Sequence, residues 1–133
     1  MARRTESYVD TSALIAFLDS TDSYHSLFRR LFSDPPALMT SALVIVEGHG
    51  WFFRRYDQRR ALSFLNFTQA LPIRIAAFDE SELERAKAFV RKFFDQKLSL
   101  TDAHGLALMT SAGIATCWST DRHLGLTGAT LVC

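Results

Sequence analysis

Long apolar runs, clustered cysteines and a charge imbalance are all missing from this 133-residue chain. Its apolar stretches stop after a few residues, too short to span a membrane. The opening Met-Ala-Arg-Arg-Thr-Glu has neither the apolar core nor the cleavage pattern of a secretory signal. The two cysteines, Cys117 and Cys133, lack metal-ligand spacing and the density of a disulfide scaffold. A reducing cytoplasm is the expected setting. No repeat, linker or low-complexity tract interrupts the chain. What is present is ordinary for a globular protein: 48% apolar and 22% charged residues, which excludes wholesale disorder. One domain, residues 1–133, with a single core is expected at this length.

The pattern alternates strands and helices. Ser7–Asp10 reads as a strand, followed by a helix over Ser12–Leu18 capped by Thr11 or Ser12. A second helix, Tyr24–Phe32, places Leu27, Phe28, Leu31 and Phe32 at helical spacing and ends at Asp34-Pro35-Pro36. Ala37–Thr40 reads as the next strand. Over Ala42–Arg55 the signals compete. Val44-Ile45-Val46 favours a strand and Gly48 and Gly50 weaken a helix, but Leu43, Glu47 and Trp51 recur one turn apart, and the balance favours helix. A further helix is expected over Asp57–Ala70, then strand Pro72–Ala76 and a long helix Ser81–Phe94, with acids first and bases last as the helix dipole prefers. Leu98-Ser99-Leu100 connects to a helix over Asp102–Ser111, capped by Thr101 and closed by Gly113. Strand Ile114–Trp118, a loop Ser119–Gly125 and strand Ala129–Val132 finish the chain. Such alternation implies right-handed crossovers and a mostly parallel sheet, an α/β fold covered on both faces.

Four acids stand out by position. Asp10 and Asp121 follow the first and fourth strands, which are neighbours if the strand order reverses at the sheet centre, where open α/β sheets build their sites. Asp102 starts the helix feeding the fourth strand. Glu47 follows a run of aliphatic residues, and a helix carries it into apolar surroundings with Leu43 and Trp51. Each has a simple structural explanation on its own: a cap, a dipole partner, a turn residue or an exposed side chain. Gathered in one cleft, they repel and some take up protons. A hard divalent cation such as Mg²⁺ or Mn²⁺ relieves that conflict, and the lack of a cysteine cluster argues against zinc. The formal net charge of +1 then hides a body of net +5 around an acidic hole, suited to a polyanion.

The segments Tyr8-Val9-Asp10-Thr11-Ser12-Ala13-Leu14, Leu43-Val44-Ile45-Val46-Glu47, Leu100-Thr101-Asp102-Ala103 and Ser119-Thr120-Asp121-Arg122-His123 resemble, in order, the four acidic motifs of PIN-domain ribonucleases. The length resembles the VapC-type toxins of toxin–antitoxin pairs. Gly48-His49-Gly50 departs from the aliphatic continuation usual after the glutamate. The resemblance implies a three-layer domain with a five-stranded sheet in order 3-2-1-4-5 and a helix over Ala42–Arg55. It also implies that Asp10, Glu47, Asp102 and Asp121 form the metal-binding catalytic set, with Ser12 and Ser119 as supporting hydroxyls. It further implies RNA as substrate, products with 5′-phosphate and 3′-hydroxyl ends, a cognate antitoxin whose C-terminal segment occupies the cleft, and a homodimer.

The matching chemistry is phosphodiester hydrolysis assisted by one or two Mg²⁺ or Mn²⁺ ions. Asp10 and Asp102 are the expected principal ligands, with Asp121 completing the site. Glu47 either coordinates or accepts a proton from the attacking water. Arg54 and Arg55, in the densest basic run with Arg59 and Arg60, and Arg122 beside Asp121 are the candidate contacts for substrate phosphates. His104 and His123 are read as structural. Two alternatives stay open: an RNA- or protein-binding module without catalysis, and an aspartyl-phosphate enzyme with Asp10 as nucleophile. The second is disfavoured because Ser12 stands where related enzymes place a second acid.

Overall fold

The computed structural model describes residues 6–132; residues 1–5 of the opening segment and Cys133, both considered above, lie outside that range. The elements are β1 (Glu6–Val9), α1 (Thr11–Leu18), α2 (His25–Leu31), β2 (Ala37–Ser41), α3 (Ala42–Arg55), α4 (Gln58–Ala70), β3 (Ile73–Ala76), α5 (Glu80–Lys92), α6 (Leu100–Ala112), β4 (Thr116–Trp118) and β5 (Thr130–Val132). Two 3-10 turns, Phe94–Gln96 and Arg122–Gly125, complete the described chain. The sheet runs β3-β2-β1-β4-β5 with every pairing parallel. The reversal of order falls between β1 and β4, where Val9 pairs with Trp118.

Both faces of the sheet are apolar because both are covered. Successive strand residues point to opposite sides, so Val9, Leu38 and Trp118 join a core with α1–α4, centred on Leu14, Phe28, Phe52 and Phe64. Tyr8, Met39 and Cys117 face the other way and pack with Leu106, Met109 and Leu124. Three layers result, matching the architecture expected from the resemblance. No helix among the described residues is long and apolar enough to cross a membrane.

Several boundaries differ from expectation for definite reasons. Neither Thr11 nor Ser12 caps α1: Asp10 occupies the N-cap position, and its side chain makes no capping hydrogen bond. Helix α6 begins two residues earlier than expected, with Ser99 rather than Thr101 as its cap, because the Ser99 hydroxyl accepts the Asp102 amide at 3.1 Å. Glu47 is exposed, correcting its expected burial. The buried stripe of α3 is Val44, Gly48 and Phe52, and Glu47 lies about 100° round the helix from Gly48.

Candidate active site at the carboxyl edge of the sheet

Parallel strands end on one edge, and β1 and β4 deliver Asp10 and the segment Ser119–His123 there side by side. The Asp10 amide donates to the Trp118 carbonyl at 3.0 Å, extending the β1–β4 ladder by one bond. Asp10 is buried, with 4% of its surface exposed. One carboxylate oxygen, Oδ2, accepts from Ser119 Oγ at 2.9 Å and from Ser12 Oγ at 3.1 Å. These hydroxyls are locked in turn, since Ser119 Oγ accepts the Asp121 amide (2.9 Å) and Ser12 Oγ the Thr120 amide (3.0 Å). Burial raises the Asp10 pKa, the serine and Thr11 hydrogen bonds oppose that rise, and the net shift is upward.

Asp102 comes in from the first turn of α6. Burial, then the charges of Asp10 and Asp121, and more weakly Glu47, push its pKa up to about 7 against the pull of Ser99. Burial leads that shift, and the repulsion of neighbouring carboxylates adds to it. Asp121 spends Oδ1 on its own turn, accepting the His123 amide at 3.0 Å and the imidazole Nδ1–H at 2.7 Å. Partial burial works against a charged His123, but the Asp121 hydrogen bond and charge, the Gln96 backbone and Asp102 outweigh it, and its pKa rises.

Asp10, Asp102 and Asp121 therefore share one rim, while Glu47 stands at its exposed outer side and acts on Asp102 only as a distant charge. The tightest group differs from the expected four. Asp102, Asp121 and His123 each offer one ligand atom, all within 4.8 Å of one another. His123, read from the sequence as structural, belongs to the rim; the available signal was its place two residues after Asp121 in a turn. The carboxylate oxygens of this group suit a hard divalent cation, while an imidazole nitrogen is a ligand more usual for softer transition metals. The nearby Cys117 does not add a thiolate, because burial and then the acid charges drive its pKa far up.

The other candidates separate. Arg122 is exposed beside Asp121 and forms no ion pair among the described residues. Arg54 and Arg55 are not brought to the rim. Helix α3 starts at the carboxyl edge and runs away from it, so Arg55 lies ~12 Å beyond Glu47 along the axis. There Tyr56 donates to Asp19, just past the far end of α1, at 3.0 Å, and Arg55 and Arg60 sit over the Tyr56 ring at 5.2 and 4.8 Å. These arginines have a packing role that the basic run did not reveal. His104 is structural: fully buried, it joins Ser41 Oγ (2.6 Å) to Glu82 Oε1 (3.1 Å) and so ties α6 to the start of α3 and to α5.

Known proteins share this fold. The chain is similar to ribonuclease VapC26 of Mycobacterium tuberculosis, 27% identical over 116 residues, covering 86% of each protein. The crystal structure of VapC20 from the same organism, described as a sarcin–ricin-loop-cleaving toxin, superimposes with a TM-score of 0.84 at 26% identity, covering 93% of this chain and 96% of that one. A toxin–antitoxin complex from Klebsiella pneumoniae shares the fold at a TM-score of 0.63 and 20% identity, covering 96% of each chain. Residues 7–128 match the PIN domain, spanning all four acids and the whole carboxyl rim, and the chain accordingly belongs to the PIN-domain family.

Proposed function

We propose that this chain is a VapC-type ribonuclease toxin, working as one domain in the cytoplasm and restrained by a cognate antitoxin. One observation carries the reading: Asp10, Asp102 and Asp121, distant in sequence, meet at the β1–β4 switch point, where burial first and then the Asp10 and Asp121 charges raise Asp102 to about 7. That VapC26 is a ribonuclease and VapC20 a sarcin–ricin-loop-cleaving toxin supports structured RNA as the substrate class. A ribosomal sarcin–ricin loop is the first RNA to test, with tRNA beside it.

Asp10, Asp102 and Asp121 are the residues that would hold Mg²⁺ or Mn²⁺, with His123 turned toward the same place. Bound there, the ion supplies an activated water and neutralises charge on the departing oxygen. Ser12 and Ser119 fix the Asp10 carboxylate by its Oδ2 and leave Oδ1 for that purpose. Asp121 likewise keeps Oδ2 free while His123 holds Oδ1. Glu47, at the mouth, coordinates or takes a proton from the attacking water. An antitoxin segment with a basic side chain would occupy the same acidic rim, and a homodimer is the proposed assembly.

Purified protein incubated with labelled RNA and Mn²⁺ tests this directly. Cleavage that stops with EDTA, returns with Mg²⁺ or Mn²⁺, and is abolished in Asp10→Asn is expected. Retention of RNA without cleavage favours the binding-module alternative instead.

A further inference from the structure

The fully buried His104 has both ring nitrogens engaged: Nδ1 lies 2.6 Å from Ser41 Oγ and Nε2 3.1 Å from Glu82 Oε1. Glu82 is held below its usual carboxylate range; the His104 hydrogen bond leads, burial opposes, and Arg85 adds to the fall. A carboxylate only accepts, so Nε2–H donates to it, and the Ser41 hydroxyl donates to Nδ1. The same three groups in line serve hydrolytic triads. Here the serine hydroxyl is fully buried and its oxygen already accepts the Leu43 amide at 3.0 Å, so no substrate reaches it. An aliphatic side chain would fill the place without burying two polar atoms. What the imidazole adds is direction, since hydrogen bonds at both nitrogens hold it to one geometry where apolar packing slides.

Two helices meet at this bond. Ser41 ends β2 and caps α3, and Glu47 follows on that helix, about 9 Å along its axis. His104 comes two positions after Asp102 on α6, about 200° round the helix. One side of the start of α6 therefore faces the rim while the other is pinned to the start of α3. Among the described residues, Ser41–His104 is the one side-chain hydrogen bond between α6 and α3 or its cap. A 10° tilt of α3 about that point would carry Glu47 through about 1.5 Å, and misplacement by ~1 Å can cost a hundredfold in rate. We propose that His104 is a positioning residue for catalysis, its hydrogen bond to Ser41 fixing the separation of Glu47 from Asp102 across the mouth of the site. The proposal rests on the ribonuclease reading and deepens it by naming what holds the exposed Glu47 in register with the rim.

The test compares full-chain variants that each keep one link, cleaving labelled RNA with Mn²⁺. His104→Asn leaves a polar atom near the place of Nδ1, within reach of Ser41, while His104→Gln reaches Glu82 instead. The first should keep kcat within about twofold, and the second should lower it about tenfold with KM little changed. Ser41→Ala cuts the same bond from its other end, so it should cost about tenfold as well and add nothing to His104→Gln. It decides the matter if the His104 variants do not fold. In a Glu47→Gln background the loss from His104→Gln should shrink below about twofold. Equal losses in the two His104 variants that follow their melting temperatures, or a loss undiminished without Glu47, overturn the proposal. Crystal structures of the metal-free variants give a readout apart from turnover. The spacing of Glu47 from Asp102 should hold in His104→Asn and change by about 1 Å in His104→Gln; an unchanged spacing in the second overturns the proposal. Wild-type protein that leaves RNA intact would sink the ribonuclease reading, while the crystal structures judge the placement on their own.

Discussion

Asp102 and Asp19 are carboxyls with opposite fates, and the difference is measurable. Asp102 titrates at about 7 in the fold and near 3.9 in the unfolded chain. The unfolded state therefore binds fewer protons between those values, and stability falls as pH rises through that window. In metal-free buffer the melting temperature should decline from pH 5 to pH 8, and Asp102→Asn should flatten that slope and raise stability at pH 8; an unchanged slope would show that the crowding is not felt. Asp19 runs the other way. Burial would raise its pKa, but hydrogen bonds from the Thr21 hydroxyl and amide and the Tyr56 hydroxyl, with the Arg55 charge, bring it below the usual value. Its contribution is present at neutral pH and is lost only as acid protonates it. Tyr56→Phe should cost about 1 kcal/mol at pH 7, shrinking at low pH in chemical denaturation. Asp10 shows what a local reading misses. An acid at a strand-to-helix junction looks like a cap, and only Ser119, 109 positions away, reveals that its oxygens are turned elsewhere. Ser119→Ala should weaken divalent-ion affinity about 10–100-fold, read by isothermal titration with Mn²⁺.

Helix α3 shows the same limit at the scale of an element. Its period was legible, but not the face it buries, because two of its glycines serve different ends. A Cβ at Gly48 would run into the ring of Phe64, which is fully buried on α4. The glycine is therefore the contact point of α3 with α4, and it sets the stripe that leaves Glu47 outside. A Cβ at Gly50 meets only the guanidinium of Arg54, the far end of a flexible chain, at 2.9 Å. The two substitutions should differ in sign. Gly48→Ala should destabilise by about 1–3 kcal/mol through overpacking, whereas Gly50→Ala should stabilise by up to about 1 kcal/mol through helix propensity. Urea denaturation of both variants decides it, and equal effects would remove the close approach as an explanation. Helix α6 likewise starts two residues before the position its sequence suggests. Thr101 and Ser99 are both good caps, and only the hydrogen bond to the Asp102 amide selects Ser99. That choice places Asp102 within the first turn, facing the rim.

For the whole molecule, alternation of strand and helix made the layers readable, and the resemblance supplied the strand order. Which edge residues meet depends on pairing that no local signal carries: β1 and β4 are joined from opposite ends of the chain. The same closure explains why the four acids were individually weak signals and why His123 was missed. It would also couple folding to the proposed cation binding, since an ion held at the rim stabilises only the state in which the rim exists. A ligand at 100 times its Kd adds about 2.7 kcal/mol, roughly 10 °C at this size. Binding needs ionised carboxylates, so the gain from Mn²⁺ at a fixed concentration should be larger at pH 8 than at pH 6, below the pKa of Asp102. Thermal melts with and without Mn²⁺ at the two pH values measure the difference, and Asp10→Asn should reduce the gain at both. An Mn²⁺ shift equal at pH 6 and pH 8, and retained in Asp10→Asn, would mean that the ion binds away from the rim, and the charge balance proposed for the site would fail with it.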